Sequence, residues 1–83
     1  MQNLNSPILQ IKSYLNKTFF LPIESLNPDY SFGKLGLNSL EINEVVVQLE
    51  YQNHVNIPDI DLVKVRTIAD LANLVSSQQV IYS

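Results

Sequence analysis

With 83 residues, 46% of them hydrophobic and 16% charged, and a formal net charge of −3, the chain amounts to one domain, residues 1–83, with a modest core and little room for a deep enzymatic cleft. The acidic balance supplies no basic stripe for a phosphate backbone, and no cysteine accompanies the single His54, so nucleic-acid binding, disulfides, thiolate catalysis and cysteine or histidine-cluster metal sites are not expected. No run reaches the roughly 18 apolar residues of a membrane span, and MQNLNSP lacks the basic-then-apolar layout of a signal peptide, so a cytoplasmic protein without a membrane partner is expected.

The first helix is signalled by Ser6 as N-cap and Pro7 at the first helical position, where a missing N–H costs nothing. Ile8, Ile11 and Leu15 recur at helical spacing, which predicts a helix from about Pro7 to Thr18. From Phe19 to Asn38, Pro22, Pro28, Gly33 and Gly36 punctuate a long loop. Loops of that length in compact domains are pinned or functional, and Phe19, Leu21, Ile23, Leu26, Phe32 and Leu35 are the candidate pins. Asp29 and Tyr30 suit a short turn after Pro28.

The second helix is expected to begin at Asn38 or Ser39 and to end near Asn53. Asn38 with Glu41 three residues on has the form of a capping box, in which side chains satisfy backbone N–H groups that the helix leaves unpaired. Pro58 then breaks the pattern, and Asp59 to Val63 allow one or two helical turns. Thr67 and Asp70 form a second capping box ahead of Ile68, Leu71, Leu74 and Val75, while SSQQVIYS from Ser76 reads as a fraying tail whose Val80, Ile81 and Tyr82 can dock back.

At about 100° per residue, Ile42, Val45, Val46 and Leu49 make the core face of the second helix. Leu40, Val47 and Tyr51 lie on the opposite side, with Glu44 between them and Glu41, Gln48 and Glu50 around them. None of the five basic residues lies on this helix. Two readings stand: a helix packed on both sides, or an exposed apolar stripe with an acidic rim that docks basic partners.

Ser39 has no catalytic base. His54 lies on the order of 20 Å along the helix axis at 1.5 Å per residue, and its position at the helix C-terminus suits a solvated imidazole. A phosphate ester on Ser39 would instead meet the unpaired N–H groups of a helix N-terminus, with Gly36 keeping the approach open.

The stretch FGKLGLNSLEINEVVVQLE resembles the Phe-x-x-Leu-Gly-x-Asp-Ser-Leu pattern of acyl and peptidyl carrier proteins, with Phe32, Leu35, Gly36, Ser39 and Leu40 in register. VNIPD at Val55 to Asp59 and VRTIADLANLV at Val65 to Val75 resemble the family's third-helix entrance and fourth helix, so the resemblance covers about residues 6–78. It implies an all-α, four-helix bundle with a long loop between helices I and II and a short helix III. It also implies that Ser39, flanked by Asn38 and Leu40, is esterified with 4'-phosphopantetheine from coenzyme A, and that the chain is no enzyme but carries acyl groups as thioesters in a fatty-acid, polyketide or related pathway. An aminoacyl or peptidyl carrier and an unmodified helical adaptor are the alternatives.

Partners by the same resemblance are a phosphopantetheinyl transferase and the ligases, synthases or acyltransferases that load and unload the arm. They would be met by Leu40, Glu41, Glu44, Val47, Gln48, Glu50 and Tyr51 on a monomer. An acyl cavity would be lined by Ile42, Leu49, Leu62, Val65 and Leu71. Asn38 departs from the family's usual aspartate, and Lys34 with a net charge of only −3 departs from the strong acidity of primary fatty-acid carriers, which points to a specialised pathway.

Overall fold

Pro7 starts the first helix as its position demands, and the Ser6 carbonyl accepts the first helical hydrogen bond from the Gln10 amide at 2.9 Å. The Ser6 side chain, expected to cap, makes no cap hydrogen bond; the start of the helix is set instead by the fixed φ of Pro7, which has no N–H to leave unpaired. The computed structural model describes residues 6–79, and those residues are helical throughout their regular structure: α1 (Pro7–Phe19), a 3-10 turn (Ile23–Ser25), α2 (Ser39–Asn53), the single-turn α3 (Asp59–Leu62) and α4 (Ile68–Gln79). The one isolated β-bridge among them pairs Ser31 with Thr67.

Helix α1 stops at a left-handed residue. Phe20, at φ +62°, donates its amide to the Asn16 carbonyl, and the Asn16 side-chain amide donates to the Leu21 carbonyl at 2.9 Å, so the carbonyls at the helix end find partners. At the other boundary the expected fraying from Ser76 is not seen. Helix α4 runs on to Gln79, because no glycine or proline interrupts Ser76 to Gln79 and fully buried Val75 holds the preceding turn. Val80, Ile81 and Tyr82 lie outside the described residues.

Helices α1, α2 and α4 pack pairwise on one another. Ile11 and Leu15 of α1, Val45, Val46 and Leu49 of α2, and Ile68, Leu71, Ala72 and Val75 of α4 fill the space between them. Fully burying an aliphatic side chain is worth about 1.5–3 kcal/mol, so this seam supplies most of the cohesion. Leu62 of α3 packs at the edge of the same core.

The long loop is pinned as a loop of its length requires. Leu26, Phe32 and Leu37 are buried, and Phe19, Leu21 and Leu35 pack partly against the core. Two backbone bonds join the loop to the entrance of α4: Phe32 donates to the Arg66 carbonyl at 2.9 Å and Ala69 donates to the Pro28 carbonyl at 3.0 Å. Ile23, expected among the pins, is 49% exposed. The 3-10 turn closes through the Leu26 amide on the Ile23 carbonyl and delivers Leu26 to the core, leaving Ile23 on the rim of a groove between α1 and α2.

This division predicts opposite outcomes for two neighbouring apolar residues. Leu26→Ala is expected to lose about 2–5 kcal/mol in urea unfolding, as truncations of buried leucine do. Ile23→Ala is expected to lose less than about 1 kcal/mol.

Candidate functional site

The approach to α2 is built by a compact turn. Buried Phe32 accepts from the Leu35 and Leu37 amides at 3.1 and 3.0 Å, and Gly36 donates to the Gly33 carbonyl at 3.0 Å. Gly36 sits at φ +88°, a backbone conformation that side chains rarely adopt, which is why glycine occupies the position. Leu37, absent from the sequence-based pins, is 7% exposed and anchors the end of the turn next to the helix. Its signal was concealed because it stands alone between a glycine and a polar cap, outside any periodic run.

Asn38 is the N-cap of α2. Its Oδ1 accepts from the Glu41 amide at 2.8 Å, and its own amide donates to Glu41 Oε1 at 2.9 Å, so the capping box is complete. Ser39 follows as the first helical residue and is exposed. Its position is therefore fixed on two sides, by the buried turn before it and by the capped helix after it.

Beside Ser39 opens a cleft of about 260 Å³ lined also by Ile42, Asn43, Val46, Leu62 and Val65. Three of the five expected cavity residues, Ile42, Leu62 and Val65, thus meet at the serine. Leu49 and Leu71 do not line it: they are 1% and 0% exposed, packed in the seam of the three long helices. Asn43 was not expected there, although its place one turn after Ser39 on the same helix was a readable signal.

On the outer side of α2, Leu40, Val47 and Tyr51 are 69%, 53% and 78% exposed, so the helix is not packed on both sides. The acidic rim is less uniform than its charges suggest. Glu41 is half-buried and used in the capping box, and Glu50 Oε2 accepts from the Ile57 amide at 2.7 Å, which draws the chain after α2 back onto the helix. Glu44 is exposed and makes no hydrogen bond or ion pair among the described residues. Gln48 is half-buried and faces the groove shared with α1. His54 caps the C-terminus of α2 at φ +56°, far from Ser39 in the helix and outside the cleft.

A family model described as the phosphopantetheine attachment site matches residues 10–75. No solved structure matches the chain. No helix of the described residues is long and apolar enough to cross a membrane.

Three substitutions test the scaffold around the serine. Asn38→Asp should leave stability nearly unchanged while Asn38→Ala loses about 0.5–2 kcal/mol, since both Asn and Asp accept the Glu41 amide and alanine cannot. Gly36→Ala should lose about 1–3 kcal/mol from backbone strain alone, because nothing lies within 4 Å of the added Cβ. Chemical denaturation followed by circular dichroism reads all three.

Proposed function

The chain belongs to the phosphopantetheine attachment site family and carries 4'-phosphopantetheine covalently, and we propose that Ser39 is the residue that holds it. The observation that carries this reading is the conjunction at Ser39: an exposed hydroxyl at a capped helix start, opening on a half-apolar cleft, within the matched segment. When bound, the group supplies a thiol on a long arm that holds its cargo as a thioester.

The residues present fit such a group. The first-turn amides of α2 and the positive end of its macrodipole favour the phosphodiester charge. Gly36, bare of side chain, leaves room for a transferase to reach the hydroxyl. Ser39 Oγ would attack the pantetheine-side phosphorus of the coenzyme A pyrophosphate, breaking the P–O–P bond so that adenosine 3',5'-bisphosphate leaves, with a base of the transferase taking the hydroxyl proton, since the only histidine of this chain caps the far end of α2. The chain's own part is to present, position and release, which is the work of a carrier and not of an enzyme.

In this reading the single-turn α3 is the short third helix of a four-helix carrier-type bundle, and its Leu62 with Val65 forms the outer wall of the cleft opposite Ile42 and Val46. The cargo is acyl rather than aminoacyl on the strength of those four apolar side chains. It is short, because the cleft measures about 260 Å³ and Leu49 and Leu71, which would line a deeper cavity, are fully buried in the seam and do not line it. Partners with a basic surface approach along α2, drawn by Glu44, and seat on Leu40, Val47 and Tyr51. A monomer working in the cytoplasm for a specialised pathway completes the proposal.

Incubation with coenzyme A and a permissive transferase should raise the intact mass by one phosphopantetheine, and Ser39→Ala should abolish the gain. A gain that survives Ser39→Ala moves the attachment elsewhere. Glu44→Lys should slow association with the transferase and flatten its salt dependence, and Val47→Ala should mainly speed dissociation while changing stability by no more than about 0.5 kcal/mol.

A further inference from the structure

A second groove, of about 450 Å³, lies on the other flank of α2, between that helix and α1. It shares no residue with the cleft at Ser39. Its α1 wall carries Leu9, Ser13 and Lys17 in a row at four-residue spacing, with Lys12 beside them, and its α2 wall carries Gln48 and Gln52, also four apart. Ile23 closes one side. Leu9 and Ile23 are 41% and 49% exposed, so apolar surface faces outward from the groove.

The charge of this groove is opposite to that of the molecule. Two of the five cations of a chain with net charge −3 line it, and no aspartate or glutamate does. Neither Lys12 nor Lys17 has a carboxylate partner among the described residues. Phe20, whose left-handed φ closes α1, is next to this groove in the sequence without lining it. It lies three residues from both Lys17 and Ile23, is 84% exposed, and holds a left-handed backbone that costs a non-glycine residue on the order of 1–3 kcal/mol. Exposed aromatic side chains of this kind are enriched in the cores of protein interfaces.

From these observations we infer that the α1/α2 groove is a second docking surface, whose occupant is an acidic amphipathic helix of a partner protein. Two rows of side chains at helical spacing, with short or neutral residues between them, form the seat that a further helix takes in a bundle. The occupant's apolar side chains meet Leu9, Ile23 and Phe20, and its flanking carboxylates meet Lys12 and Lys17. Charge complementarity selects it: a basic helix is repelled here and drawn to the Glu44 face. Because Gln48 and Ser39 lie on different flanks of α2, about 13.5 Å apart along the axis at 1.5 Å per residue, a partner seated in this groove leaves the serine free for other enzymes.

The test uses the full chain, isotope-labelled for amide spectra and titrated with a synthetic amphipathic helix bearing leucines on one face and glutamates on its flanks. Shifts are expected at Leu9, Ser13, Lys17, Ile23, Gln48 and Gln52. Lys12→Glu with Lys17→Glu should weaken binding at least tenfold, and the milder Lys12→Gln with Lys17→Gln should weaken it less, both with an unchanged circular dichroism spectrum. Each of these variants should still gain one phosphopantetheine at Ser39, which keeps the outcome separate from that for the attachment site. The inference is overturned by absence of binding, by shifts centred on Leu40 and Val47, by equal binding of the same peptide with lysines in place of glutamates, or by preference for phosphatidylserine vesicles over the peptide.

Discussion

Phe32 is the residue on which the placement of Ser39 depends. Its ring is buried, its amide is tied to the Arg66 carbonyl, and its own carbonyl accepts from Leu35 and Leu37. A loop of nearly twenty residues, which on entropy alone would wander, is thereby fastened at once to the core, to the entrance of α4 and to the start of α2. The position of Ser39 inherits this order. It stands two residues beyond buried Leu37 and one beyond the cap Asn38, so a fixed backbone presents a free hydroxyl.

That arrangement divides labour along α2. Its inner side, Val45, Val46 and Leu49, joins the three-helix seam. Its flanks open into two grooves of different character, one apolar beside Ser39 and one lined by lysine and glutamine beside α1. Its outer side exposes Leu40, Val47 and Tyr51. A carrier has to be recognised by several enzymes while keeping a single small core. One helix with four distinct aspects meets that need without enlarging the chain, and the acid that remains free for steering, Glu44, sits on the aspect that shows the apolar stripe.

Much of this was legible in the residues. The bounds of α2 and both capping boxes follow from spacing, because helix caps are local physics. The second box closes where the Asp70 amide donates to Thr67 Oγ1 at 3.0 Å and the Thr67 amide to Asp70 Oδ2 at 3.3 Å. The period of α2 also marks its second apolar stripe, but only the packing decides that the stripe is exposed. The phosphopantetheine itself was legible only through the resemblance carried by Phe32, Leu35, Gly36, Ser39 and Leu40, which the family match over residues 10–75 bears out. What escaped was set by tertiary choices. Ile23, expected to pin the loop along with Leu26, stays at a groove rim; Leu49 and Leu71, expected in the core and along a cavity, sit in the seam and do not line the cleft at Ser39; Glu50, expected on the rim of the exposed stripe, accepts from the Ile57 amide. Which way such side chains turn is decided by the packing of segments distant in the sequence.

On the proposed function, Ser39 holds the arm on a rigid platform whose cleft side, and not its core, responds to loading. Amide spectra of the labelled protein with and without phosphopantetheine test it most directly. Changes are expected only at residues 37–43 and at Leu62 through Val65, with Ile11, Leu15, Leu49 and Leu71 unmoved. Changes spread through those four core positions, or centred on a serine other than Ser39, would contradict it.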